Sequence, residues 1–243
     1  MNSLSKSHIK YQPSKSRNCY SKNNNLIFSC RNSLFKIQEK NKGDGLELLK
    51  TINTNIVSVV FFDPQYRGVL EKLKYGNEGK RQRQRSLLPQ MSEEIISTFI
   101  TEISRVLKKS GHLFLWIDKF HFCEGINDWI KITDLKIVDI IVWDKQRIGM
   151  GYRTRRISEY LLILQKPPLR AKDVWKIKNI PDVWKEKIIK KQHPHQKPIQ
   201  LQTELLKAVS NAGDIIVDPA AGSFSILEIC KSLKRIFLGT DLR

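Results

Sequence analysis

The stretch that decides the fold is IVSVVFF at residues 56–62, which Asp63-Pro64-Gln65-Tyr66 follows directly. Apart from a serine it is apolar on both alternating faces, a pattern typical of a parallel strand that is buried on both sides. Ligands of open α/β sheets bind beyond the carboxyl ends of such strands. Residues 63–66 are therefore a candidate site, although an Asp-Pro sequence after a strand is also an ordinary turn.

The rest of the chain alternates short apolar runs with helical patterns, which predicts a sheet with helices on both faces. Ser92 suits the N-cap of a helix, and Pro198 suits the first position of another. The span between the fourth and fifth apolar runs is short and rich in Gly and Arg, so we predict an antiparallel hairpin there. The predicted strands, seven in all, are residues 34–38, 56–62, 112–118, 137–143, 157–164, 214–218 and 235–239.

A second strand, turn and helix contain VDPAAGSFS at residues 217–225. Small residues in such a turn let the backbone approach a ligand, and the following helix offers free N–H groups. Asp241 lies about 20 residues further on, where an acid grips ribose hydroxyls in nucleoside-binding α/β folds. The glycine patterns of triphosphatases and of dinucleotide sites do not occur. The turn therefore favours a nucleoside cofactor.

A third motif, HPHQKP at residues 193–198, precedes a predicted helix. It is compatible with a plain loop, and its two histidines also suggest a metal. No cysteine or carboxylate stands at ligand spacing, however, so we predict that the chain holds no metal. The four cysteines are widely scattered, which argues against a disulfide framework.

The net charge and the amino-acid composition limit the kinds of binding partner and the cellular location to be expected. The 243 residues include 43 Lys and Arg against 24 Asp and Glu, a net charge of +19, and a 40% hydrophobic content that excludes wholesale disorder. Such a charge indicates a polyanionic partner, although an AT-rich genome would also raise the lysine content. No apolar run is long enough to span a membrane, and no signal peptide is evident, so we expect a cytoplasmic protein. Residues 1–25 are predicted to be a disordered basic tail.

Together these motifs resemble those of the S-adenosylmethionine-dependent amino-methyltransferases of DNA. Residues 63–66 are similar to the catalytic D-P-P-Y of that family, residues 193–198 to its H-P-x-x-K-P, and residues 218–225 to its cofactor loop D-P-F-x-G-S-G-T. Residues 42–49 and 143–164 resemble its G-D-x-L-x-x-L, W-x-K and R-x-x-E-x-I-L segments. The catalytic motif precedes the cofactor loop, the order of the circularly permuted β group.

Three residues depart from the family pattern. Gln65 replaces the second proline of the catalytic motif, Ala220 replaces a phenylalanine of the cofactor loop, and Phe224 replaces its second glycine. The first departure concerns the tightness of the catalytic turn, and the other two concern cofactor affinity. None of them removes a group that takes part in the chemistry.

The resemblance implies a class I methyltransferase fold, a Rossmann-like α/β architecture whose seven-stranded, mostly parallel sheet has one antiparallel hairpin strand. Its catalytic domain would span residues 26–243. It would transfer a methyl group from S-adenosylmethionine directly to N6 of a flipped adenine in DNA. N4 of cytosine, an RNA substrate, and a catalytically silent nucleic-acid-binding subunit are the alternatives. DNA is the implied partner in the cytoplasm, at the nucleoid, while a homodimer and a cognate restriction enzyme stay open.

The resemblance also implies the roles of individual residues. The Asp63 carboxylate and the Pro64 carbonyl would accept the hydrogens of the target amine, and Tyr66 would stack on the base. The residues that the resemblance implies for cofactor binding are Asp44, Lys197, Asp218, Ala220, Gly222, Ser223, Phe224, Ser225 and Asp241. The clustering of basic residues, and not the resemblance, predicts that DNA is bound by Lys80, Arg81, Arg83 and Arg85 of a mobile basic loop at residues 67–85, and by Arg153, Arg155 and Arg156. Residues 166–192 are the candidate target-recognition segment.

Overall fold

A computed structural model of the protein describes residues 27–28, 34–65, 91–149, 153–188 and 196–242. Its strands are β1 (Asn41–Lys42), β2 (Val57–Phe62), β3 (Leu107–Ile117), β4 (Lys136–Asp144), β5 (Ser158–Gln165), β6 (Val183–Lys185), β7 (Ile215–Asp218) and β8 (Ile236–Asp241). Its helices are α1 (Gly45–Thr51), α2 (Glu93–Val106), α3 (Lys119–Glu124), α4 (Asn127–Ile130), α5 (Ile199–Val209) and α6 (Ser225–Ser232).

The strands form one sheet in the order β1-β8-β7-β2-β3-β5-β4-β6. Every neighbouring pair is parallel except those that include β5, which runs antiparallel to both β3 and β4. The mostly parallel sheet and its antiparallel hairpin strand are thus confirmed. Because β2 lies between β7 and β3, its carboxyl end is at the middle of the sheet edge.

Helices cover both faces of the sheet, because successive side chains of β2 point to opposite faces and both sets are apolar. Val60 and Phe62 belong to the core that also holds the apolar residues of α1 and α2. Val59 and Phe61 point to the other face and belong to the core that holds those of α5 and α6. Full burial of each such side chain stabilises the fold by roughly 1.5–3 kcal/mol, so both faces anchor this strand.

Local hydrogen bonds position the helices that border the carboxyl edge. The predicted cap is in place, since Ser92 Oγ accepts a hydrogen bond of 3.3 Å from the amide of Ile95 at the start of α2. Asp44 caps α1, where its Oδ1 accepts from the amides of Leu46 and Glu47 at 2.7 and 3.1 Å. Pro198 lies one residue before α5 rather than at its first position, and it forms the N-cap.

The sheet differs from the prediction in strand number, with eight strands among the described residues instead of seven. The predicted strand at residues 34–38 is wrong. Gln38 has a left-handed φ of 61° and its amide donates to the Phe237 carbonyl at 2.9 Å, so the chain turns there. The first strand is β1, which pairs with the end of β8. The short β6 escaped prediction because three residues carry too little pattern.

The junction of α2 and β3 also differs. The helix ends at Val106, and β3 begins at Leu107 instead of at His112, on the far side of Gly111. The register against β2 passes from Val57↔Leu107 to Val59↔His112, so residues between these two pairs bulge out of the ladder. Across the described parts of the chain, no helix has the length and apolarity that a membrane crossing requires.

Candidate active site

The first wall of the site follows β2. Asp63 is the first residue after that strand, and its side chain is 31% exposed toward a cavity of about 300 Å³ at the carboxyl edge of the sheet. Pro64 beside it is buried, and the carbonyl of Gln65 accepts a hydrogen bond of 2.8 Å from the amide of Met91. This bond ties the turn to the segment that leads into α2, even though Gln65 replaces the proline of the family pattern.

The opposite wall follows β7, the strand next to β2. Asp218 ends β7, and its Oδ1 accepts a hydrogen bond of 3.3 Å from the amide of Ala220. The amide of Gly222, which has a φ of 48°, donates to Oδ2 of Asp241 at 3.0 Å. This bond connects the turn after β7 to the end of β8, so both predicted cofactor segments meet at one cavity.

Burial dominates the electrostatics of this wall. It raises the pKa of Asp218 to about 8, and the negative charges of Asp63 and Asp241 act in the same direction. The hydrogen bond from Ala220 opposes the rise without cancelling it. Asp218 therefore holds its proton over much of the range in which an ordinary aspartate is ionised.

Gly45 allows α1 to approach this wall closely. A Cβ at that position would lie 2.1 Å from the carbonyl oxygen of Pro219 and 2.8 Å from the ring of Phe99. Only a residue without a side chain fits there, so packing explains the second glycine of the Gly-Asp-Gly segment. The contact brings the capped start of α1, with Asp44, to the rim of the cavity.

Lys197 joins the first wall to the antiparallel part of the sheet. Its Nζ lies 3.0 Å from Oδ1 of Asp63 and 2.9 Å from Oε2 of Glu159, and it stands 4.8 Å above the ring of Trp116. Glu159 in turn pairs with Lys145 at 3.2 Å. Four side chains of alternating charge thus form a continuous series that ends at the cavity.

In this series, neighbouring opposite charges counteract the effect of burial on the pKa of each group. Burial alone would lower the pKa of Lys197, but Asp63 and Glu159 outweigh it and hold that pKa above its usual range. Burial would likewise raise the pKa of Glu159, yet Lys197 and Lys145 bring it down to about 2. Burial does raise the pKa of Asp63, while Lys197 limits the rise. Lys197 and Glu159 are therefore charged at neutral pH.

Most residues predicted to bind the cofactor line this single cavity, namely Asp44, Lys197, Asp218, Ala220, Gly222, Ser223, Ser225 and Asp241. Phe224 does not. Its backbone is left-handed, with a φ of 57°, and its buried ring packs edge-on against Phe237 at 6.4 Å in the α5–α6 core. The family has glycine at this position, which adopts a positive φ without strain. The substitution thus points the side chain into the core and away from the cavity.

Several predicted residues lie outside the described parts of the chain. They are Tyr66, Lys80, Arg81, Arg83, Arg85, the rest of the predicted loop at residues 67–85, the first three residues of the HPHQKP motif, and the tail at residues 1–25. The arginines after the gap at residues 150–152 are described. Arg153 and Arg155 are exposed, and the Arg156 guanidinium lies 5.8 Å from the ring centroid of Phe120. Lys119 Nζ lies 5.1 Å from the same centroid.

Sequence reasoning missed three residues at the site. Trp116 lines the cavity beneath Lys197, and buried Gln202 accepts a hydrogen bond of 3.2 Å from Ser225 Oγ with its own Oε1. Glu159 entered only as a letter of a motif. Its signal was a lone carboxylate at the start of the apolar run of β5, which requires a buried partner.

The cavity fits a nucleoside cofactor. Its volume of about 300 Å³ is at the lower end of the range for small-molecule pockets. Its walls combine apolar rings such as Phe99 with a glycine-bounded turn, and Asp241 stands at the carboxyl end of β8 beside it. Among the residues that the structure describes, no group of His, Cys, Asp and Glu is arranged to hold a metal ion.

The sheet order, the antiparallel β5 and the nucleoside-sized cavity at the carboxyl edge define a class I methyltransferase fold. Solved structures share it. The chain resembles a crystal structure of an M1.HpyAVI–SAM complex with a TM-score of 0.57 and 19% identity, over 84% of this chain and 93% of that one. It resembles the cytosine-N4-specific PvuII DNA methyltransferase with a TM-score of 0.65 and 15% identity, over 87% of this chain and 86% of that one.

Sequence comparisons identify the family. A DNA methylase family model matches residues 165–243. The chain is 53% identical over 218 residues to the type II methyltransferase M.HhaII of Haemophilus parahaemolyticus, covering 89% of this chain and 96% of the relative. It is 24% identical to the type II methyltransferase M.HpaI of Haemophilus parainfluenzae, covering 82% of this chain and 68% of that relative. The chain belongs to the DNA methylase family: it is an S-adenosylmethionine-dependent DNA methyltransferase.

Proposed function

We propose that this enzyme methylates N6 of adenine in DNA, with Asp63 as the residue that activates the target amine. The supporting observation is the placement of Asp63 at the mouth of the cavity, with Oδ1 held by Lys197. Within the described ranges, Oδ2 has no such partner and is available to accept a hydrogen bond. An aspartate at the head of the catalytic tetrapeptide, instead of a serine, favours adenine by resemblance to the family.

The amine must be activated because its lone pair is delocalised into the base. Two acceptors, the Asp63 carboxylate and the Pro64 carbonyl, would accept hydrogen bonds from the two N–H groups of the amine. These bonds would localise the lone pair on the nitrogen. Pro64 has a fixed φ and no N–H of its own, which keeps its carbonyl in a defined position. Tyr66, which lies outside the described residues, would hold the flipped base by stacking.

The cofactor would occupy the second wall. Bound S-adenosylmethionine supplies an activated methyl group on a sulfonium sulfur, so positioning does most of the catalytic work. Asp241 would bind the ribose hydroxyls. The turn of Ala220, Gly222, Ser223 and Ser225, with Asp218 beneath it, would shape the methionine side, and Asp44 would close the rim. Lys197 would contact both walls from its place next to Asp63.

DNA would bind across the same edge of the sheet. Exposed Arg153 and Arg155 support this, as does the packing of Arg156 and Lys119 on the ring of Phe120, because guanidinium and ammonium groups next to the site can contact phosphates. The loop at residues 67–85, with Lys80, Arg81, Arg83 and Arg85, is proposed to close over the substrate. Residues 166–192 are proposed to read the target, and their small number favours a short or relaxed recognition sequence.

Other partners follow from the same proposal. A restriction enzyme with the same target sequence is supported by the type II designation of the relatives. A homodimer is supported by the resemblance to the β group. Action on DNA would place the enzyme at the nucleoid in the cytoplasm.

N4 of cytosine is the second candidate target. A fold neighbour with a TM-score of 0.65 is named as specific for N4 of cytosine, which supports this amine as a target of the same architecture. Both reactions need the same acceptors and the same cofactor pocket. The choice depends on which ring the base pocket admits.

The test is to methylate unmodified duplex DNA with the purified enzyme, digest it to nucleosides and analyse the products by mass spectrometry. We expect N6-methyladenine, and none of it from Asp63→Ala. N4-methylcytosine as the product would overturn the adenine assignment. Full activity of the Asp63→Ala variant would overturn the role of Asp63 whatever the product, because the activating acceptor would then lie elsewhere.

A further inference from the structure

A partly buried series of alternating charges runs from the antiparallel part of the sheet to the active site. It starts at Lys145, directly after β4, passes through Glu159 in β5 and Lys197 before α5, and ends at Asp63 after β2. The successive distances are 3.2, 2.9 and 3.0 Å. Elements far apart in sequence thus meet through side chains, and one of the two inner residues of the series, Glu159, has no role in the reaction as proposed above.

A lysine that faced Asp63 alone would be poorly fixed, because its flexible stem permits many rotamers. Glu159 gives the Lys197 ammonium a second anchor. Glu159 is itself held by Lys145 on the other side, and its register opposite Trp143 fixes its backbone. An ammonium with two carboxylate partners and a ring below it, that of Trp116, has one well-defined position.

We propose that Glu159 is a positioning residue for methyl transfer, which holds Lys197 on Oδ1 of Asp63 so that Oδ2 faces the target amine. This inference rests on the proposed role of Asp63. The Lys197 ammonium divides its electrostatic attraction between Glu159 and Asp63. Without Glu159 it would interact with Asp63 alone, and the stronger ion pair would make that carboxylate a weaker acceptor of N–H groups.

The charges that face Asp63 give this role a signature in pH. Lys197 faces it from the segment before α5, Glu159 from β5 and Asp218 from β7. The charge of Glu159 makes ionisation of Asp63 harder and so raises its pKa. The rate falls at acid pH as Asp63 takes up a proton. As long as the Lys197 ammonium, even if less well fixed, stays paired with Asp63, removal of the Glu159 charge therefore moves that acid limb to lower pH.

The test compares Glu159→Gln with the wild type in single-turnover methylation of a DNA duplex across pH. Glutamine keeps the size of the side chain but cannot serve both lysines. We expect the transfer rate to fall about 10- to 100-fold, as misplacement of a reacting group does. We expect the acid limb to move to lower pH and the Kd of S-adenosylmethionine, measured by calorimetry, to change less than about threefold, as uniform binding is retained.

Two further variants separate geometry from charge. Glu159→Asp keeps the charge but shortens the reach, so its rate should fall while its acid limb stays at the wild-type pH. It also serves as the test should Glu159→Gln fail to fold. Glu228→Gln, a surface glutamate that pairs with Lys231 at 3.1 Å, is the matched control and should behave as wild type.

A wild-type rate in Glu159→Gln would overturn the proposal, as would a lower rate with an unmoved acid limb, since a merely structural role gives the latter. The proposed function fails separately. It is rejected if Asp63→Ala keeps the transfer rate, whereas an inactive Asp63→Ala together with a fully active Glu159→Gln rejects only the positioning role.

Discussion

The two walls of the cavity use the same residue type in opposite ways. Asp63 and Asp218 both stand at the carboxyl ends of buried parallel strands, and these strands are neighbours, with Val60 paired to Val217. Asp63 has a lysine partner at 3.0 Å. Asp218 makes no ion pair with any described residue, and burial raises its pKa to about 8. At one carboxylate a cation opposes the rise of the pKa, and at the other the pKa stands well above the usual range.

The difference shows that the partner, and not burial alone, sets what a carboxyl group at this edge can do. Burial raises the pKa of both groups. Lys197 counters it only at Asp63. An ionised carboxylate is a stronger hydrogen-bond acceptor than a protonated one, so the wall with the lysine suits the activation of an amine. A carboxyl group that holds its proton imposes little charge on a neighbouring ligand, so the other wall suits packing.

The largest expected effect comes from Asp63→Asn. The amide offers one weak acceptor in place of a carboxylate and turns an NH2 group toward the lysine or the target. We expect the single-turnover rate to fall about 10³-fold, in line with the loss of a preorganised electrostatic contact. The Kd of S-adenosylmethionine, measured by calorimetry, should stay close to that of the wild type. A comparable loss of cofactor affinity would show that the two walls are not separable.

Gly45→Ala tests the packed wall. The new Cβ would collide with the Pro219 carbonyl, and both groups are backbone, so α1 and the turn after β7 must move apart. We expect a loss of about 1–3 kcal/mol in the free energy of unfolding, a melting temperature lower by several degrees, and an S-adenosylmethionine Kd about tenfold weaker. Glu47→Ala, on the exposed side of the same helix turn, is the control. Unchanged cofactor affinity in Gly45→Ala would contradict a cofactor site beside α1.

Asp218→Asn addresses the uncharged state directly. The folded protein holds the Asp218 proton up to a pKa of about 8, whereas the unfolded chain loses it near 3.8. Because the folded state binds more protons between these values, this group makes stability fall as the pH rises through that window. We expect the variant to show a flatter decline of the free energy of unfolding between pH 5 and 8, measured with urea. Parallel curves for wild type and variant would refute a raised pKa.

The smallest effect is expected outside the cavity, where charges are exposed. Arg153→Gln combined with Arg155→Gln should weaken DNA binding several-fold at low salt. The slope of log K against log salt should become shallower by about 0.9 for each phosphate that the variant no longer neutralises. The transfer rate at saturating DNA should not change. A slope equal to that of the wild type would mean that these arginines do not contact phosphates.

The sequence allowed the fold and the edge that carries the site to be predicted, because β2, β5 and the turn after β7 have strong local patterns. It also allowed the cavity-lining turn to be predicted, since its small residues are a local signal. The ion pairs of Lys197 were beyond reach, because they join residues 134 and 38 positions away, and no local pattern encodes such a contact. The orientation of Phe224 was also missed, since a family glycine at that position reports backbone conformation and not a side-chain direction.

The place of β8 in the sheet has a consequence for biosynthesis. It lies between β1 and β7, yet it is translated after all the other described strands. A chain still emerging from the ribosome has β1 without its neighbour, and it lacks Asp241 and the bond that this residue makes with Gly222. The cavity at the carboxyl edge of the sheet is therefore completed only when this strand has been synthesised.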